Sequence, residues 1–245
     1  MRRFQLFIVI ASALVSLQAT AQSAVINSGN AAQENIKNLV EGSAFVRFDN
    51  RYEGVRGTPY LIPSWLPGSV QLASKVPLPE LKLKYDANQR LLLLLRNAKD
   101  SIYLDMNRIE SFVLNDPTKT QPRAFKRFYD APDPAMRREY FEVLVPGNYS
   151  LLKLQRKTLQ KASFAGAYSA DRRYDELVDQ TDYFVRTADG RLQPLKLNAK
   201  ALTAALPEHS AQIQAELKKR PALRTEADFV AFMPWLNSLP ALPAK

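Results

Sequence analysis

Between residues 69 and 114, apolar and polar positions fall into short runs divided by turn-forming residues: SVQLA, PLPELKLKY, RLLLLLR, SIYLD and IESFVLN. In ELKLKYD, Leu81, Leu83 and Tyr85 alternate with Lys82 and Lys84, the period of a strand with one dry and one wet face. Asp86-Ala87-Asn88-Gln89 and Asn97-Ala98-Lys99-Asp100 suit hairpin loops. The pattern predicts an antiparallel meander. One run breaks the alternation: Arg90 and Arg96 fence five consecutive leucines. Five apolar residues cannot cross ~30 Å of hydrocarbon. The turn-like neighbours leave no room for the ~10 residues a helix needs. The run is therefore read as an interior strand, with Leu91, Leu93 and Leu95 on one face and Leu92 and Leu94 on the other. Both faces then need cover, and a charge at Leu93 would be left without a partner.

The same reading extends in both directions. The segment AFVRFDNRYEG, from Ala44, has the composition of a first strand. GTPYLIPSWLPG, residues 57–68, holds three prolines and is read as a loop, not a central strand, pinned to the core by Tyr60, Leu61, Ile62, Trp65 and Leu66. Residues 122–130 and 138–160 continue the β character. Pro146-Gly147-Asn148 marks a turn, and Leu152 and Leu154 alternate with Lys153 and Gln155. Residues 161–180 lose the pattern and read as an irregular crossover. DYFVRTADGRLQPLKL, 182–197, is a hairpin with Asp189-Gly190 at its tip.

After Leu197 the period becomes helical. Asn198 caps NAKALTAAL, and Pro207 opens EHSAQIQAELKKR. Thr225 and Asp228 form a capping box before FVAFMPWLNSL, where Phe229, Val230, Phe232 and Leu236 make an apolar face and Pro234 is expected to kink or shorten the helix. The predicted class is α+β: a mostly antiparallel curled sheet or β-sandwich over 44–197, with a small C-terminal helical cap over 198–239 packed on it. That cap is expected to supply the second cover of the leucine strand. Residues 240–245 are a tail.

The N-terminus changes where this domain is expected to work. Arg2 and Arg3, the apolar run from Phe4 to Leu17 and the small-residue exit Ala19-Thr20-Ala21 have the form of a cleaved secretory leader, residues 1–21. A lead-in segment, 22–43, follows. The expectation is an exported protein, periplasmic or secreted, with no transmembrane span in the mature chain. The chain has no cysteine. That excludes disulfides, thiolate metal sites and cysteine nucleophiles. At about 220 residues the mature chain is long enough to bury a core without such staples. The formal charge is +10, of which Arg2 and Arg3 supply two units. A basic exported protein meets anionic envelope polymers or another envelope protein, although no basic run exceeds three residues.

Candidate chemistry is sparse. His209 is the single histidine. Near a helix start and beside Glu208 it reads as a solvated surface residue, and a zinc site would have to pair it with carboxylates alone. Glu139 and Glu142 fall on opposite sides of a predicted strand, so their spacing does not make a glycosidase pair. Asp130 and Asp133 fall short of a calcium loop. There is no glycine-rich phosphate loop, and no cofactor is expected. The remaining candidates are basic residues interleaved with aromatics: Arg123, Lys126, Arg127, Arg137, Arg138, Lys153, Arg156 and Lys157, among Phe125, Phe128, Tyr129 and Tyr140. Such mixtures can hold polyanions, but strand alternation with solvent-facing charges produces them as well.

Gly57-Thr58-Pro59-Tyr60, the meander, Phe141–Gly147 with Tyr149–Leu152, the Tyr/Phe hairpin and Trp235-Leu236-Asn237 together resemble a family of uncharacterised exported β-rich proteins of Gram-negative bacteria. The resemblance implies an envelope location and a β-rich core. It brings no activity and no catalytic residue. The functional expectation is a non-catalytic periplasmic or cell-envelope binding or structural protein. The alternatives are a histidine-free glycan hydrolase and a basic polyanion-binding module.

Overall fold

A computed structural model describes residues 45–46, 52–97, 100–163, 173–220 and 222–240. The leader and lead-in expected over 1–43 lie outside the described residues. The strands are β1 (Phe45–Val46), β2 (Leu66–Leu72), β3 (Pro77–Asp86), β4 (Leu91–Asn97), β5 (Asp100–Tyr103), β6 (Ile109–Leu114), β7 (Arg123–Lys126), β8 (Phe141–Val145), β9 (Tyr149–Gln160), β10 (Glu176–Thr187) and β11 (Leu192–Pro194). They form one antiparallel sheet in the order β1-β5-β4-β3-β2-β6-β7-β8-β9-β10-β11. Three helices follow: α1 (Ala199–Ala205), α2 (Ser210–Leu217) and α3 (Glu226–Asn237). This is the α+β architecture expected, and of the two sheet forms it is the curled one. Among the described residues no helix is long and apolar enough to cross a membrane.

The curl follows from contacts between distant strands. In a flat sheet β3 and β9, five strand spacings apart, would lie about 24 Å from each other. Here the turn after β3 touches β9: the Lys157 amide donates to the Ala87 carbonyl at 3.3 Å, and the Asn88 side chain donates to the Lys157 carbonyl at 2.7 Å. Asp86, fully buried, fixes that turn by accepting from the Asn88 and Gln89 amides at 2.9 and 2.8 Å.

Inside the curl lies the main core, which includes Leu66, Val70, Leu83, Leu92 and Leu94 around a set of touching rings. Phe112 stacks on Phe125 at 4.8 Å and meets Tyr85 and Tyr140, each at 5.2 Å. A second core lies under the helices, where Tyr149, Leu151 and Val185 of the sheet meet Leu202, Leu206, Ile213, Phe229, Phe232 and Met233. A third joins Phe141, Leu152, Leu154 and Phe184. In β9, Tyr149 and Leu151 thus face the helices while Leu152 and Leu154 face away, so β9 is dry on both sides along this stretch.

The leucine run is a strand, and Leu92, Leu93 and Leu94 are 0, 4 and 5% exposed. The helices do not cover it. α3 packs on β8 and β9, well along the sheet from β4. Directly opposite Leu93 stand Lys84 and Tyr103. The Lys84 ammonium sits over the rings of Tyr60 and Trp65, 4.8 and 4.5 Å from their centroids. The residues 57–65 therefore serve that neighbourhood in place of the cap, and a carboxylate at position 93 would have a lysine facing it.

Other local expectations also change. Leu66, Pro67 and Gly68 belong to β2, a central strand, not to the preceding loop. Proline fits because the ladder uses its carbonyl, which accepts from the Asn115 amide at 2.8 Å. A bulge between Gly68 and Val70 absorbs the irregularity. Position 68 requires glycine, since a Cβ there would lie 2.2 Å from the Val113 carbonyl oxygen. β10 begins at Glu176, inside the stretch read as irregular, because β9 continues to Gln160 and supplies a twelve-residue partner. α3 runs through Pro234 to Asn237, and its buried face is Phe229, Phe232, Met233 and Leu236, with Val230 exposed.

Candidate functional site

The helical cap is set by local chemistry. The Asn198 side chain accepts from the Ala201 amide at 2.8 Å and starts α1 directly after the β10–β11 hairpin. The Thr225 hydroxyl accepts from the Asp228 amide at 3.2 Å while Asp228 accepts from the Thr225 amide at 2.8 Å, the reciprocal box that starts α3. At the far end, Asn237 clamps α3 to β9: its side chain accepts from the Tyr149 amide at 2.8 Å and donates to the Tyr149 carbonyl at 3.1 Å.

His209 is buried, not solvated. The Pro207–His209 turn carries the imidazole inward, where it meets the Tyr149 ring edge-on at 5.3 Å. Its Nε2 lies 2.5 Å from the Tyr149 hydroxyl and its Nδ1 lies 2.9 Å from Gln212 Oε1. It is a structural tie between cap and sheet.

Two kinds of concavity lie around this cap. The first pair is mostly apolar. One groove of about 760 Å³ runs between α1 and α2, with Pro207 and Leu217 in its wall. Another of about 710 Å³ lies between α1 and the β10–β11 hairpin, lined by Thr181, Tyr183, Pro194, Leu195, Leu197 and Ala201. Ala204 lines both. Lys200 and Lys218 rim the first and Lys196 the second. All three are exposed, and among the described residues none of them meets a carboxylate.

The second concavity is polar, about 270 Å³, between β7–β9, the start of α3 and the 119–122 loop. Arg123 donates to both oxygens of Glu142, at 2.7 and 2.8 Å, and to Gln155 at 2.5 Å. Lys153 pairs with Glu226 at 2.8 Å, and the Tyr183 hydroxyl donates to the same carboxylate at 2.7 Å. Burial pushes Glu226 up, but the bonds from Lys153 and Tyr183 outweigh it and hold the carboxyl below its ordinary range. Burial and the bond to Glu226 push the Tyr183 phenol up. Glu142 and Glu226 thus share a cavity, a pairing that sequence spacing could not reveal.

Of the eight basic residues singled out in the sequence, Arg123 and Lys153 line this cavity together. The rest are dispersed. Alternation turns Lys126 away from Arg123 on β7 and Arg156 away from Lys153 on β9. Lys126 lies 3.9 Å from Glu110. Arg127 is buried with its guanidinium 4.6 Å over the Tyr140 ring. Arg156 pairs with Asp182, Lys157 with Asp179, and Arg137 donates to the Ala131 carbonyl. Arg138 is exposed. Of the carboxylates weighed as a cation site, Asp130 faces Arg186 and Asp133 accepts from the Ala135 amide. Lys196 and Lys200 are isolated lysines, and Lys218 opens the short run Lys218-Lys219-Arg220 at the end of a predicted helix, so none of the three stood out as a site in the sequence.

Comparison with protein families, with curated proteins and with solved structures finds no match to this chain.

Proposed function

We propose that this protein is an exported, non-catalytic binding module of the cell envelope, and that its contact surface is the pair of apolar grooves flanking α1. The observation that carries the reading is their combination with Lys196, Lys200 and Lys218. The floor is apolar, yet the rim holds three cations without carboxylate partners among the described residues, on a molecule whose sheet cations are largely paired. Such a surface suits a partner offering both apolar groups and negative charge. The export part of the proposal rests on the leader pattern of residues 1–21.

The polar cavity supports the hydrolase alternative less well. A glycosidase needs one carboxyl kept protonated near neutral pH. Glu226 is shifted the other way, and the Arg123 fork occupies both oxygens of Glu142.

The test uses the amphiphilic anion anilinonaphthalene sulfonate, whose fluorescence rises on entering an apolar site. The wild-type chain should bind it saturably. Ala204→Glu, at the junction of the grooves, and Lys200→Glu with Lys218→Glu should each weaken binding at least tenfold without shifting the thermal midpoint. Unchanged binding in both variants refutes the reading.

A further inference from the structure

Among the described residues, one edge of the sheet is open beside the second groove. β11 pairs with β10 only over Phe184–Arg186, and the Leu195 amide adds one bond to the Tyr183 carbonyl at 2.8 Å. At the other end, the Arg56 amide donates to the Asp175 carbonyl and the Leu177 amide donates to the Arg56 carbonyl, both at 2.9 Å. Leu177 and Tyr183 therefore aim their backbone groups away from β9. Since these directions alternate along a strand, Asp179 and Thr181 aim theirs the same way. No strand or loop among the described residues takes those two N–H and two C=O groups. The stretch 178–182 spans about 17 Å, enough for a short added strand. Thr181 also lines the groove floored by Tyr183, Pro194, Leu195 and Leu197.

We infer that the occupant of this surface is an extended acidic peptide segment of a partner protein, which adds a strand to β10 at Asp179 and Thr181. The inference rests on the groove reading above and names the chemistry that fills it. Unpaired backbone donors and acceptors at strand spacing call for another backbone, which a lipid or a glycan does not offer. Alternate side chains of the added strand enter the groove, where Pro194 and Leu197 present apolar surface. Lys196 beside the groove and Lys200 beyond it select acidic residues in the partner. The chain's net positive charge, +8 once Arg2 and Arg3 are taken from the total of +10, works against a second copy taking the same place.

The probe is a fluorescein-labelled seven-residue peptide alternating valine and glutamate, with a control methylated on alternate backbone nitrogens. Thr181→Pro deletes one outward N–H while leaving the bonds to β9, because the residue's backbone groups point away from that strand. Fluorescence anisotropy should show binding that falls at least tenfold in Thr181→Pro, falls similarly for one register of methylation, and weakens with added salt. Methylation leaves the protein untouched, so a folding defect in the variant cannot imitate the result. Binding indifferent to both changes overturns the inference. So does failure of the peptide to bind a chain that still takes up the sulfonate dye in an Ala204→Glu-sensitive way, an outcome that spares the groove reading. Loss of dye binding as well removes both. Self-association abolished by Thr181→Pro would assign the edge to a second copy and overturn the acidic partner.

Discussion

Replacing Arg123 with methionine should be among the most damaging single changes in the sheet. The Arg123 and Glu142 side chains are each 9% exposed, and the guanidinium holds both carboxylate oxygens and Gln155. Asp116 lies a further 3.9 Å from the same group. Methionine fills the volume but leaves Glu142 as a buried charge without its counter-ion. Breaking one side of such a pair costs about 3–5 kcal/mol, whereas replacing both sides with apolar groups is often neutral. With a urea slope of roughly 2–3 kcal/mol per molar, Arg123→Met should lower the unfolding midpoint by about 1–2 M. The double variant Arg123→Met with Glu142→Leu should recover most of that loss, because the orphaned charge is gone. The assay is equilibrium urea unfolding followed by tryptophan fluorescence, with Glu142→Leu completing the cycle. A single variant within about 1 kcal/mol of wild type, or a double variant no better than Arg123→Met, refutes the reasoning.

In the leucine strand the order of damage should be Leu92→Asp, then Leu93→Lys, then Leu93→Asp. Leu92 is wholly inside the curl, a lysine at 93 would face Lys84, and an aspartate there would face a cation; urea midpoints that reverse the last two would discard the Lys84 argument. Thr225→Ala removes half of the capping box and should lower stability by about 1 kcal/mol; an unchanged thermal midpoint would show the box to be idle. Glu226 has a folded-state pKa below its unfolded one. Its contribution is therefore present above the ordinary carboxylate range and lost as pH falls through the depressed value. Stability measured from neutral pH down to about pH 3 should fall less steeply in Glu226→Gln than in wild type, and parallel curves would remove this group from the acid response.

Much of the fold was legible because period and punctuation agreed. Leu81, Leu83 and Tyr85 against Lys82 and Lys84 set the inward face of β3, Asp189-Gly190 set a hairpin tip, and Asn198 and Thr225 set helix starts. What stayed hidden were effects of pairing at a distance. Pro67 and Gly68 read as loop residues because a sequence does not show that a central strand can use proline's carbonyl, or that Val113 approaches position 68 too closely for a side chain. His209 read as solvated because its burial depends on Tyr149, which arrives from a strand 60 residues away. The basic residues of β7 and β9 looked like a patch when counted along the chain. Alternation places consecutive ones on opposite faces, and cross-strand carboxylates such as Asp179 and Asp182 then meet them.

The position of the cap ties these points to function. Tyr149 and Leu151 turn the start of β9 toward the helices, so α1–α3 settle over β8–β10 and not over β4. That placement puts the N-terminus of α1 immediately after a three-residue β11, too short to cover β10 along its length. The uncovered length of β10 and the groove beside α1 are therefore two results of one arrangement. A longer β11 would close both, satisfying Asp179 and Thr181 internally and filling the space above Leu195. Extending the hairpin by two residues on each side of Asp189-Gly190 would leave that edge as it is, because the addition grows at the tip. Extending β11 beyond Pro194 would seal it, and a chain so altered should lose the acidic peptide while keeping the Tyr149–His209 tie and the clamp from Asn237.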